Sequence, residues 1–185
     1  MEEFSCKILR SRRKTLSIQV KNLEILVRAP YDVPKGEIEA FVRRHRAWIE
    51  RQFEKQAARE AEEAKTVKFS KEEIEAIRKR AKQLIPDRAA LYADRIGVTC
   101  RSITRRFQHS RWGSCSANGN LSFNCLLILA PAEVLDSVIV HELCHRKEMN
   151  HSPRFYAEVV RVFPEYRKWN KWLKEHGRTL LNRLP

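Results

Sequence analysis

The sequence predicts an α+β fold, in which an N-terminal antiparallel β-meander precedes a largely helical core with a second, small antiparallel sheet. Strict alternation of apolar and polar residues over Thr15–Val20, between two other short apolar segments, is typical of paired strands. From Pro34 onward, apolar residues recur at helical spacing. Later, the turn dipeptide Asn118-Gly119 precedes the alternating segment Asn120–Leu126, which indicates a β-hairpin in the core.

The meander is predicted from three strands, Lys7–Arg10, Thr15–Val20 and Leu23–Arg28. A tight turn is expected at Lys21-Asn22, because asparagine tolerates turn conformations. The sheet should end within Ala29–Pro34, where two prolines interrupt strand pairing.

Two domains are predicted, the first covering residues 1–66 and the second residues 67–185. The helix that begins near Pro34 changes character in its far half, Glu54–Lys65, which consists mainly of Ala, Glu, Lys, Arg and Gln. This composition favours an exposed helix or a hinge between the meander and the core. With 185 residues, 43% of them hydrophobic, the chain can bury one sizeable core and carry a small appendage.

A long helix should open the second domain. Ser70 followed three residues later by Glu73 is typical of a capping box. The apolar residues that follow continue past Pro86, so the helix is expected to kink there and to stop at Gly97.

Three more helices are predicted after the hairpin. Pro131 opens the first of them, and Ser152 caps the second, which should span Pro153–Val162. The third carries an aromatic packing stripe and is expected to end at Gly177.

The helix after Pro131 carries the motif His141-Glu142-Leu143-Cys144-His145. Residues four apart lie on one helix face, about 6 Å apart at Cβ, so His141 and His145 can face one Zn²⁺ ion. Glu142 points elsewhere and suits a general base, while His151 is the candidate third ligand, which leaves a position open to water. The alternative is a chance polar face, but the preceding residues Val134–Val140 are mostly apolar, which indicates that this part of the helix is buried.

Two further residues are candidates for contacts with an oxyanion or a substrate, namely Tyr156, one turn into the next helix, and Arg111. A carboxylate or carbonyl should orient the histidines, and Glu158 or Glu148 is the candidate source. Cys115 is interpreted as an inert thiol, with a metal-binding thiolate as the alternative.

Charge and cysteine usage narrow the class of protein. Lys and Arg outnumber Asp and Glu by 37 to 23, a formal net charge of +14, which predicts either solubility alone or contact with nucleic acid.

The 5 cysteines include no CxxC pair, which argues against a disulfide scaffold and favours the reducing cytoplasm. No apolar run approaches the roughly 20 residues of a membrane span, and Met1-Glu2-Glu3 does not resemble a signal peptide. The sequence makes no prediction of oligomeric state.

Several motifs in order resemble the YgjP-like metallopeptidase family, and the likeness covers nearly the whole chain. They are Ser11–Leu16, Val27–Pro30, Arg111–Ser116, Gly119-Asn120, Asn124, Leu126–Pro131, His141–His145 and Asn150–Pro153.

This resemblance implies a zincin-like core of the minimal gluzincin type, with one zinc ion held by His141, His145 and His151, and with Glu142 as the base. The family is similar to the SprT-like and WLM proteases, some of which degrade proteins crosslinked to DNA. The predicted function is therefore zinc-dependent hydrolysis of peptide bonds in a protein or peptide. Independently of the resemblance, the predicted hairpin places a β-ribbon directly before the helix of His141, and an open edge of this ribbon is expected to pair with an extended peptide.

Two alternatives stay open at this point. In the first, the chain is a basic, nucleic-acid-associated zinc protein, either with a structural zinc closed by four protein ligands or acting on DNA-bound proteins. In the second, the same metal site hydrolyses a non-peptide amide.

Overall fold

The computed structural model describes residues 6–21 and 24–185. These residues form six α-helices, one 3-10 helix and two three-stranded sheets, which confirms the α+β prediction. Asn22 and Leu23, where a turn and a strand start are predicted, lie outside the described residues, as does Met1-Glu2-Glu3. The chain divides into two compact units, Met1–Lys65 and Thr66–Pro185. That they are separate domains with a boundary at residue 66 stays a prediction.

The sheet of the first unit is mixed, so the predicted antiparallel meander is wrong. Its strands are β1 (Cys6–Ser11), β2 (Ser17–Lys21) and β3 (Glu24–Pro30), in the order β1-β3-β2. β3 pairs antiparallel with β2 but parallel with β1. β3 takes the central position because it is the most apolar strand, and a central strand has a neighbouring strand on each side. Its Ile25 and Val27 are fully buried there.

Two helices complete this unit, where the sequence predicted one. They are α1 (Lys35–Arg44) and α2 (Arg46–Lys65), and His45 between them leaves helical geometry at φ −99° and ψ 10°. The break lets Ile38 of α1 and Ile49 of α2 both join the buried core of the sheet. The far half of α2 is largely exposed, as predicted.

The second unit begins with the predicted long helix, α3 (Lys71–Ile96). The capping box is confirmed, because the Ser70 side chain accepts from the Glu73 amide while the Glu73 side chain accepts from the Ser70 amide. Gly97 ends the helix in the left-handed region at φ 75°, which a residue with a Cβ adopts at a cost. α3 runs through Pro86 as one helix.

The second sheet contains β4 (Ser102–Arg106), β5 (Gly113–Cys115) and β6 (Asn120–Asn124), in the order β4-β6-β5. The predicted hairpin at Asn118-Gly119 is confirmed by the antiparallel pairing of β5 with β6. The sheet is nevertheless mixed rather than antiparallel, because β4 pairs parallel with β6.

In the described part of the chain, the ribbon of β5 and β6 has the predicted open edge, which lies at β5. β6 is the central strand of this sheet. Its Leu121 and Phe123 are buried, and a central strand is better shielded from solvent than an edge strand. Among the described residues, the free edges of this sheet therefore belong to β4 and β5. A 3-10 helix, Cys125–Leu129, leads from β6 into the helices that follow.

Those helices are α4 (Ala132–Cys144), α5 (Pro153–Val162) and α6 (Tyr166–Asn182). Ser152 caps α5 as predicted, but α6 does not end at Gly177. At that glycine an added Cβ would lie 2.8 Å from Cζ2 of Trp112. Gly177 thus serves close packing inside α6, and the helix continues past it because packing outweighs the low helix propensity of glycine.

A buried ion pair ties α4 to α3. Asp136 of α4 is 4% exposed, and its carboxylate accepts hydrogen bonds from Arg88 Nε at 2.8 Å, from Arg88 Nη2, and from the Tyr92 hydroxyl at 3.0 Å.

We expect Asp136→Ala to lower the free energy of unfolding by about 3 kcal/mol, because Arg88 and Tyr92 would lose a buried partner. Urea denaturation measures the change. Asp94→Ala, which makes the same substitution at an exposed position of α3, is the matched control and should stay within about 0.5 kcal/mol of wild type. Equal stability of the two variants would contradict a structural role for the pair.

None of the described helices combines the length and apolar character required to cross a membrane.

Candidate active site

Three histidines converge where α4 ends and α5 begins. His141 lies in the last turn of α4, His145 caps that helix, and His151 directly precedes the Ser152 cap of α5. One ring nitrogen from each lies within 4.8 Å of the others, and Nε2 of His141 is 3.1 Å from Nε2 of His151. Tetrahedral zinc with bonds of about 2.0–2.1 Å places its nitrogen ligands roughly 3.3 Å apart. The donor set therefore fits a zinc-sized ion.

Local hydrogen bonds hold His151 in place. The Asn150 side chain accepts from the Ser152 amide at 3.0 Å, and the Ser152 hydroxyl accepts from the Phe155 amide at 3.2 Å. These bonds turn the chain back toward α4, and asparagine is a residue that favours such turns.

Phe155 supports the histidine cluster, a role that sequence reasoning missed. Its ring is fully buried and lies 4.9, 4.5 and 5.0 Å, between centroids, from the rings of His141, His145 and His151. The available signal was a large apolar residue directly behind the Ser-Pro cap of α5. Contact with all three imidazoles limits their rotation and favours a preformed site.

A main-chain carbonyl orients His145. Nδ1 of His145 lies 3.1 Å from the carbonyl oxygen of Glu148. Because a carbonyl only accepts, Nδ1 carries the proton and Nε2 is left free to bind a metal. Glu148 and Glu158 were the two residues predicted to orient the histidines. Glu148 does so through its main-chain carbonyl, whereas the Glu158 carboxylate pairs with Lys147 at 2.6 Å and with Arg161 at 2.8 Å.

Tyr166 is the partner of His141, and the sequence analysis assigned it only to packing. Its hydroxyl oxygen lies 2.8 Å from Nδ1 of His141 and accepts a hydrogen bond from Asn170 Nδ2 at 3.0 Å. Burial raises the pKa of the Tyr166 hydroxyl well above its usual value, so the group stays a neutral phenol. Tyr166 therefore takes the orienting position that a carboxylate often occupies beside a metal-binding histidine.

We expect Tyr166→Phe to weaken zinc binding by about 10- to 100-fold, because His141 would lose its orienting hydrogen bond. Competition with a chromophoric chelator measures the affinity. Tyr156→Phe, which removes the hydroxyl of an exposed tyrosine near the cluster, is the control and should bind zinc as wild type does. Unchanged affinity in Tyr166→Phe would refute the orienting role.

Glu142 lies in a tight, enclosed position next to the cluster. The residue is 6% exposed, and burial raises the pKa of its carboxyl to about 7. Gly113 of β5 leaves room for the Glu142 side chain, since a Cβ added at Gly113 would lie 2.6 Å from Glu142 Oε1 and 2.7 Å from Glu142 Cγ. A carboxyl with such a pKa exchanges a proton readily near neutral pH.

The lowered pKa values of His141 and His145 favour the neutral imidazole, which is the form that binds metals. Burial, followed by the charges of His145 and His151, lowers the pKa of His141 to about 3. Burial also lowers the pKa of His145, although its hydrogen bond to the Glu148 carbonyl opposes that shift.

Arg111 and Tyr156 line two different cavities at the site. Arg111 lines a cavity of about 230 Å³ together with Gly113, His141 and Glu142. Tyr156 is exposed, with its ring centroid 6.1 Å from that of His151, and lines a neighbouring cavity instead. Their roles as oxyanion or substrate contacts stay predictions.

Cys115 does not join the metal-binding group. Burial, followed by the charge of Glu142, raises the pKa of its thiol, which disfavours a thiolate. Within residues 6–21 and 24–185, no fourth His, Cys, Asp or Glu side chain belongs to the cluster of three histidines.

The sequence matches the model of the YgjP-like metallopeptidase domain over residues 14–77 and 65–176. The chain belongs to the YgjP-like family. It is therefore a peptidase, a hydrolase that acts on peptide bonds, and the resemblance seen in its motifs is confirmed. A group of three histidines in a metallopeptidase indicates a bound metal ion.

Two solved structures are similar to part of this YgjP-like chain. One is the metallopeptidase zymogen abylysin of Pyrococcus abyssi, with 22% identity, 51% of this chain and 97% of that chain covered, and a TM-score of 0.46. The other is the metallopeptidase zymogen jannalysin of Methanocaldococcus jannaschii, with 21% identity, 49% and 94% covered, and a TM-score of 0.44. No curated protein has a significantly similar sequence.

Proposed function

We propose that the chain is a zinc-dependent peptidase with a zincin-like core, in which His141, His145 and His151 hold one Zn²⁺ ion. The convergence of three imidazoles without a fourth protein ligand among the described residues carries this proposal. A catalytic zinc site has three protein ligands and one position for water or substrate. When bound, zinc supplies Lewis acidity, which makes water a nucleophile near neutral pH and polarises the scissile carbonyl.

Glu142 handles the proton in this proposal. Its carboxylate accepts a proton from the attacking water and later delivers that proton to the leaving amine. Burial supports both steps, because a pKa of about 7 makes the two protonation states close in free energy at neutral pH.

The free edge of β5 is the proposed site for the main chain of the substrate. β5 is an edge strand among the described residues, and its Gly113 lies against Glu142. An extended peptide that adds to this edge would receive main-chain hydrogen bonds close to the general base. Arg111, in the same cavity, is the proposed donor to the substrate carbonyl, with Tyr156 as the other candidate.

Two predictions from the composition of the chain stay predictions. Association with nucleic acid, including action on DNA-bound proteins, rests on the net charge of +14, and a cytoplasmic location rests on cysteine usage.

Metal analysis and proteolysis together test the proposed function. The purified chain is expected to hold one zinc ion and to cleave an unfolded protein such as casein. Removal of the ion by a chelator should stop cleavage, and added Zn²⁺ should restore it. His151→Ala should lower metal content, because only two histidine ligands would remain. A metal-free wild type that still cleaves, or a zinc-loaded one that cleaves no peptide bond, would contradict the proposal.

A further inference from the structure

A second cavity, of about 360 Å³, adjoins the one that contains Glu142. The two cavities share Tyr166 and Asn170 as lining residues, so they form neighbouring parts of one recess. The rest of the second cavity is lined by Tyr156, Arg167, Lys171 and Lys174.

Helix α6 relates this cavity to the candidate metal site. Tyr166 and Asn170, one turn apart, are connected to His141 through the hydrogen bonds of the Tyr166 hydroxyl, at 2.8 Å and 3.0 Å. Arg167 and Lys171 each follow one of these residues directly, and Lys174 lies three residues further on. Residues three and four apart share a helix face, so the three cations form a row beside the residues that reach His141.

The charges of this row are largely uncompensated. Lys171 approaches Glu175 at 3.8 Å with both side chains exposed, and such a pair contributes little. Within residues 6–21 and 24–185, neither Arg167 nor Lys174 forms an ion pair, and no acidic side chain lines the cavity. Lys168, on another side of the same helix, differs in that it pairs with Glu165 at 2.9 Å.

We propose that the recess formed by Tyr156, Arg167, Lys171 and Lys174 is a specificity subsite for an acidic side chain, Asp or Glu, of the peptide substrate. The inference rests on the proposed peptidase function. Cations near a carboxylate attract it electrostatically, and the Tyr156 hydroxyl adds a hydrogen-bond donor at the wall.

A peptide is favoured over nucleic acid as the occupant because of where the recess lies. It shares its wall with the cavity of Glu142 and Arg111, so a group bound in it belongs to the molecule that is being cleaved. A nucleic acid held by its backbone needs cations spread over a long surface, whereas Arg167, Lys171 and Lys174 lie within two turns of α6 at one recess.

Peptides that differ at one position test the subsite on the zinc-loaded full chain. Glu, Ala and Lys are placed in turn at each of the three positions on either side of the cleaved bond. At one position, we expect kcat/KM for Glu to exceed that for Lys by about tenfold, with a smaller ratio at high salt. The double variant Lys171→Glu, Lys174→Glu should invert this preference, and the matched control Lys168→Glu should keep it.

A binding measurement separates recognition from turnover. Fluorescence anisotropy measures peptide binding to the Glu142→Gln variant, and the Glu-containing peptide should bind roughly tenfold more tightly than the Lys-containing peptide. Adding Lys171→Glu and Lys174→Glu to that variant should remove the difference in affinity.

Equal cleavage of all peptides by the wild type would overturn the subsite while the peptidase function stands. Loss of single-stranded DNA binding in the charge-reversed variant, with an unchanged peptide preference, would also overturn it. Absence of any cleavage, with peptide binding intact, would count against the proposed function instead.

Discussion

Glu142→Gln is expected to lower kcat by about 10²- to 10⁴-fold, the range that a general base contributes. Glutamine fills nearly the same volume in this buried position but cannot accept a proton from water. Zinc content should stay at the wild-type level, because Glu142 is not among the three clustered ligands. Steady-state cleavage of a fluorogenic peptide, with metal analysis of the same sample, measures both quantities.

The matched control is Glu133→Gln in the first turn of the same helix, where the side chain is exposed. Its rate and stability should equal those of the wild type. A Glu142→Gln variant that cleaves at the wild-type rate would remove Glu142 from the mechanism. A variant that loses both zinc and activity would assign it to metal binding instead.

Gly113→Ala is expected to lower kcat/KM by about 10²-fold or more with zinc still bound. The added methyl group would lie 2.6 Å from Glu142 Oε1 and 2.7 Å from its Cγ, so the carboxylate must move. A displacement of about 1 Å in a catalytic group costs about this much activity. Overpacking should also lower the free energy of unfolding by about 1–3 kcal/mol.

Gly36→Ala is the control for the chemical change itself, because an added Cβ at Gly36 meets no atom within 4 Å. This variant lies in α1 and should keep wild-type activity. If Gly113→Ala keeps both its activity and its zinc, then the close approach of β5 to Glu142 is not required for catalysis.

Local sequence patterns predicted the helices well, because helix boundaries depend on nearby residues. The Ser70 and Ser152 caps and the Gly97 stop each need only a few neighbours in the chain, and all three are confirmed. Two boundaries are exceptions. The break at His45 between α1 and α2 was not predicted, and Gly177 does not end α6, since it admits Trp112, which is remote in sequence.

Strand pairing was predicted less well for a physical reason. Alternation tells which face of a strand is apolar, but it does not tell which strand lies beside it. In both sheets the most apolar strand, β3 or β6, became central and acquired a parallel partner that the sequence analysis did not expect. The predicted open edge of the ribbon lies at β5, because β4 occupies the other side of β6.

The sequence by itself determined the family and the spacing of the His-Glu-x-x-His motif, because four residues of helix bring His141 and His145 to one face whatever surrounds them. Tertiary structure decided the rest of the site. It brought Nε2 of His151 to 3.1 Å from His141, Tyr166 to the other nitrogen of that ring, and Gly113 against Glu142. These contacts join separate elements, and only the packing of α4 against α5, α6 and β5 brings their side chains within reach of one another.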